Sequence, residues 1–130
     1  MTEPNLKVTK YRAKRQAVKK EKILILLIDN YDSFVFNVEQ YLRELTSEEV
    51  RCVRNDKITL DEIRRLNPSK IVLSPGPKHP QDSGICLEIL QSDIAAPILG
   101  ICLGHQAIGL VYGAKIKRLE KPYHGKTSLI

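Results

Sequence analysis

Ile23-Leu24-Ile25-Leu26-Leu27-Ile28, six consecutive branched aliphatic residues, most narrows what this chain can fold into. A strand with one face in water alternates apolar and polar side chains, whereas an unbroken run needs cover on both faces, as in the middle of a parallel sheet. The run stops at Asp29-Asn30-Tyr31-Asp32-Ser33, a cluster of turn formers and helix caps. Phe34, Val38, Tyr41, Leu42 and Leu45 then recur at helical spacing. The opening unit reads strand, polar loop, helix.

The alternation continues. Val50 to Val53 reads as a second strand, and Thr59 with Glu62 three residues on forms a capping box for a short helix that Asn67-Pro68 closes. Lys70 to Ser74 is a third strand, running into the stiff turn Pro75-Gly76-Pro77-Lys78-His79-Pro80. Asp82 or Ser83 is expected to cap a helix carrying Ile85, Leu87, Ile89 and Leu90. Pro97 precedes a strand that breaks at Gly100-Ile101-Cys102-Leu103-Gly104 into a helix, which runs to Tyr112 and stops at Gly113. Further strands are expected over Ala114 to Arg118 and from Thr127. The fold class that follows is α/β: an open, mostly parallel sheet with helices on both faces and right-handed crossovers. Functional loops in such sheets lie at the carboxyl ends of strands, which selects Asp29 to Ser33, Ser74 to Pro80, and the Cys102 elbow.

The net charge is confined to one end. Residues 1–22 hold eight Lys or Arg against two Glu, so the whole formal charge of +6 lies there and the rest is balanced. Tyr11 is the only ring in that arm, which leaves no stacking platform for bases. We therefore read residues 1–22 as a disordered basic extension, not a nucleic-acid surface, and residues 23–130 as one domain. No apolar run is long enough to span a bilayer, and no secretory h-region is present. Three cysteines without a C-x-x-C pair signal neither a disulfide framework nor a zinc cage, so a reducing, cytoplasmic setting without metal or cofactor is expected. Cys52 and Cys86 sit in apolar surroundings, as small buried residues do.

Only Cys102 has glycines two residues before and two after. That frame lets a strand and a helix approach closely while the residue between them takes a strained conformation. Amides at the start of the helix favour a thiolate, the reactive form of cysteine. An oxyanion formed by attack of Cys102 would meet the amide of Leu103, the next residue. A second donor must come from Ser74-Pro75-Gly76-Pro77-Lys78, where both prolines lack an N–H. Of Gly76 and Lys78, Gly76 is the better donor because glycine alone tolerates such close approach.

With Leu27 to Phe34, Ser74 to Pro77, Gly100 to Gln106 and His124-Gly125-Lys126-Thr127-Ser128 taken together, the chain resembles the class I glutamine amidotransferases. More narrowly, it resembles the glutaminase component of anthranilate synthase and aminodeoxychorismate synthase. The resemblance spans residues 23–130 and implies a γ-glutamyl thioester on Cys102, with ammonia passed to a chorismate-aminating synthase subunit. It implies oxyanion amides at Leu103 and Gly76, and glutamine contacts at Gln106, Gly76 and Lys78, where many members have glycine in place of the lysine. Asp29, Asn30, Tyr31, Asp32 and Ser33, with His124, Gly125 and Lys126, are expected to face the partner. The family's general base, a histidine followed two residues later by glutamate, has no counterpart in this sequence, and His79, His105 and His124 carry no such glutamate. A truncated amidotransferase domain with negligible activity by itself is therefore expected, the alternative being an inactive interaction module.

Overall fold

The computed structural model describes residues 23–120. Four parallel strands, β1 (Leu24–Asp29), β2 (Glu49–Arg54), β3 (Lys70–Leu73) and β4 (Ile98–Gly100), form a sheet in the order β2-β1-β3-β4. The helices between and after them are α1 (Val35–Leu45), α2 (Leu60–Leu66), α3 (Ile85–Leu90) and α4 (Leu103–Val111), with one 3₁₀ turn over Pro80–Asp82.

From Leu24 on the apolar run becomes the central strand it predicts, while Ile23 precedes the strand and is 52% exposed. Leu26 and Ile28 face one core with Ile63 of α2, Ile71 and Leu73 of β3, and Ile85 and Ile89 of α3. Ile25 and Leu27 face a second core with Val35 of α1, Val50 and Val72. Leu26, Leu27 and Ile28 are fully buried, and burial of each contributes about 1.5–3 kcal/mol. From β1 the chain steps outward to β2 across one face, then back past β1 to β3 across the other. Right-handed crossovers in opposite directions put α1 and the α2–α3 pair on opposite faces. The carboxyl ends of β1 and β3 thus flank the switch point, where open α/β sheets hold ligands.

Three local expectations are corrected. In α1 the packing stripe is Val35, Val38 and Leu42, while Phe34, Tyr41 and Leu45 are 58%, 64% and 83% exposed. Phe34 is the N-cap residue, so the helix begins one position later and its narrow buried side follows Val35. Gly84, at φ +57°, caps α3 without a side-chain bond, and Ser83 Oγ instead donates to the Pro80 carbonyl at 2.6 Å. Residues 114–119 form no strand. Gly113, at φ +88°, ends α4 in a Schellman arrangement: its N–H donates to the Leu110 carbonyl at 3.2 Å and that of Ala114 to the Gly109 carbonyl at 2.8 Å. The Thr59–Glu62 capping box forms as expected.

Candidate active site

The elbow follows from its glycines. A Cβ on Gly100 would lie 2.5 Å from the carbonyl carbon of Gly104, and one on Gly104 2.6 Å from Leu73 Cβ. Strand and helix can touch only because both positions lack a side chain. Between them Cys102 takes φ +52° and ψ −106°, a conformation rare for a non-glycine residue, and its side chain is exposed. Leu103 is the first residue of α4, so its N–H has no acceptor within the helix. Among the described residues the Cys102 thiol has no hydrogen-bond partner, and neither do the exposed rings of His79 and His105.

Gly76 lies in a slot. A Cβ there would collide with Leu103 Cδ2 on one side and approach Asn30 Cβ to 2.8 Å on the other. The structure thus packs the Leu103 side chain against Gly76, bringing together the two residues expected to supply oxyanion amides. Lys78 is exposed and Gln106 half-buried; both line a depression of about 450 Å³ with His79, Lys117 and Arg118. A second depression, of about 350 Å³, is bounded by Asn30, Tyr31, Asn55, Asp56, Lys78 and Leu103. Cys102 lines neither of the two.

The loop after β1 divides. Asp29 Oδ1 accepts the Tyr31 N–H at 2.7 Å, and Asp32 Oδ1 accepts that of Phe34 at 3.1 Å, two short Asx turns. Tyr31, at φ +65°, is exposed, its ring 4.9 Å beneath the Arg54 guanidinium. Its hydroxyl donates to Asp56 Oδ1 at 2.5 Å, which raises the phenol's pKa and lowers that of the carboxyl. Ser33 is exposed and Asp32 half-buried. Asn30, expected to face outward with its neighbours, is 3% exposed and turns inward instead. Its Nδ2 donates to the Ser74 carbonyl, and its Oδ1 accepts from Asn55 Nδ2, both at 2.9 Å. Hydrogen bonds compensate the cost of burying an amide, which explains its inward turn.

Sequence reasoning passed over Asn55 and Asp56. They follow β2, whose carboxyl end the same loop rule would have selected. Cys86 is fully buried as expected, and its thiol donates to Asn30 Oδ1 at 3.3 Å. Burial pushes that thiol up to about 11, while the raised value of Cys52, also about 11, comes first from burial and then from Glu39 and Asp29. His124, Gly125 and Lys126, like the basic arm, lie outside the described residues. Among the described residues no cluster of three or more His, Cys, Asp or Glu could hold a metal, and no helix is long and apolar enough to cross a membrane.

Residues 26–130 match the family model described as glutamine amidotransferase class-I. The chain is 50% identical over 107 residues to anthranilate synthase component 2 of Pseudomonas putida, covering 82% of this chain and 54% of that protein. It is 56% identical over 108 residues to the protein of the same name in Cyanophora paradoxa, covering 82% and 56%. To the aminodeoxychorismate/anthranilate synthase component 2 of Bacillus subtilis it is 51% identical over 106 residues, covering 81% and 54%. The chain therefore spans about half the length of these relatives.

Proposed function

Because the chain belongs to the class I glutamine amidotransferase family, we propose that Cys102 is the nucleophile of a glutaminase site that supplies ammonia to a chorismate-aminating synthase subunit. The observation that carries this reading is the strained, exposed Cys102 at the start of α4, with Leu103 packed against Gly76. In the proposed reaction Cys102 Sγ attacks the side-chain amide carbon of glutamine. The amide oxygen becomes an oxyanion held by the N–H groups of Leu103 and Gly76. Collapse breaks the carbon–nitrogen bond; the nitrogen takes the proton given up by the Cys102 thiol and leaves as ammonia, and the γ-glutamyl thioester remains. Water then cleaves the thioester, releasing glutamate and restoring the thiol. Gln106, Gly76 and Lys78 are proposed to hold glutamine, and the exposed Tyr31 side of the β1 loop to face the synthase. The relatives' names support a synthase partner and leave open whether anthranilate or 4-amino-4-deoxychorismate is formed.

Protonation of departing ammonia needs an acid–base group, and no described residue contacts the Cys102 thiol in that role. The site formed by the described residues is therefore proposed to bind and react with glutamine analogues, with turnover depending on an acid–base group supplied from outside them. The test is labelling by a glutamine-derived chloroketone, mapped by mass spectrometry. Cys102 should be alkylated well before Cys52 and Cys86, and free glutamine should slow it. Equal labelling of the three thiols, or no protection by glutamine, would overturn the assignment.

A further inference from the structure

We infer that Asn30 and Ser74 together are positioning residues that set the direction of the Gly76 N–H; the inference rests on the glutaminase reading above. Two bonds tie the pair: the Asn30 N–H donates to Ser74 Oγ and Asn30 Nδ2 to the Ser74 carbonyl, each at 2.9 Å. Ser74 is fully buried, and its hydroxyl donates onward to the Pro75 carbonyl at 2.8 Å. That carbonyl belongs to the same peptide unit as the Gly76 N–H. A trans peptide is planar and its C=O and N–H point in opposite directions, so pinning one end aims the other. The proline ring fixes φ of Pro75, so the unit swings only about ψ of Pro75 and φ of Gly76, and the Ser74 hydroxyl bond restrains that swing.

The clamp is itself held from three sides. Ser74 N–H donates to the Ile28 carbonyl at 3.1 Å, anchoring it to β1. Asn30 Oδ1 takes bonds from Asn55 Nδ2 at 2.9 Å and Cys86 Sγ at 3.3 Å. With both side-chain atoms engaged, the Asn30 amide cannot flip without breaking a bond at each end. An oxyanion donor is effective when it is oriented before reaction, because no reorganisation is then needed as charge develops. Asn30 and Ser74 touch no reacting atom in this account; they act through Gly76.

The test uses Asn30→Asp and Ser74→Ala, both close in size to the native residues. The first puts an acceptor against the Ser74 carbonyl; the second removes the hydroxyl that holds Pro75. Cys102 alkylation is followed with the glutamine-derived chloroketone, whose carbonyl must enter the oxyanion site, and with iodoacetamide, which is not directed there. The chloroketone rate should fall at least about tenfold, a fraction of the 10²–10³ seen when an oxyanion donor is lost, with iodoacetamide changed less than about twofold. Parallel loss of both rates would show a merely structural role and overturn the inference, as would retention of both. A native protein that shows no preference for the chloroketone would count against the glutaminase reading instead. In that event the Gly76 amide resonance decides about the clamp: it should shift in both variants, and an unmoved resonance overturns it.

Discussion

Replacing Gly104 by alanine should separate close approach from mere flexibility at the elbow. A Cβ there would lie 2.6 Å from Leu73 Cβ and 2.8 Å from the Leu73 carbonyl carbon, and it would collide with the Leu73 oxygen. Those atoms belong to the backbone and root of β3, so no side-chain rotation relieves the clash and α4 must move off the sheet. Overpacking costs about 1–3 kcal/mol and here belongs at the upper end, while alanine regains about 1 kcal/mol over glycine inside a helix. The net loss is about 2 kcal/mol. At a urea dependence of about 1–3 kcal/mol per molar, the unfolding midpoint falls by roughly 1 M. Gly109 lies on the same helix, but its Cβ would meet Ala114 Cβ at 3.5 Å and Ile116 Cδ1 at 3.9 Å, ordinary contacts. Gly109→Ala should therefore stabilise by roughly 0.5–1 kcal/mol. Urea unfolding followed by circular dichroism measures both. A Gly104→Ala midpoint at or above native, or equal losses in the two variants, would refute the packing argument.

The raised pKa of Cys86 predicts a stability loss at alkaline pH. The unfolded chain releases that proton near 9.0, whereas the folded thiol, desolvated among apolar neighbours, keeps it to about 11. Stability should therefore fall as pH rises through that interval, by up to about 3 kcal/mol for a two-unit difference. Cys86→Ala should lessen the decline between about pH 8 and 10.5 in urea titrations, and an unchanged slope would exclude Cys86 as its source. Thr59→Ala removes the hydroxyl that accepts the Glu62 N–H, which should lower stability by about 1 kcal/mol; an unaltered unfolding midpoint would show that the capping box contributes nothing.

Much of the fold was legible because it is written in near neighbours along the chain. The unbroken Ile23 to Ile28 run, the Thr59–Glu62 box, the Gly113 stop and the glycines around Cys102 each express a local steric or hydrogen-bonding rule, and each behaves accordingly. Local rules failed where two faces competed. Phe34, Tyr41 and Leu45 fit a helical stripe as well as Val35 does, and only the sheet beneath α1 decides which stripe is buried. Ala114 to Arg118 has strand composition, but among the described residues it pairs with no strand.

The sequence by itself determined the alternation of strands and helices and the position of the elbow, since these depend on residue type and spacing alone. The tertiary structure decided what surrounds them. Asn30 meets Ser74 across 44 residues, Asn55 across 25 and Cys86 across 56, because the strand order β2-β1-β3-β4 brings three loops to one end of the sheet. Hydrogen bonds of that range depend on which strands pair, which no local pattern encodes, and they bury a residue that reads as surface.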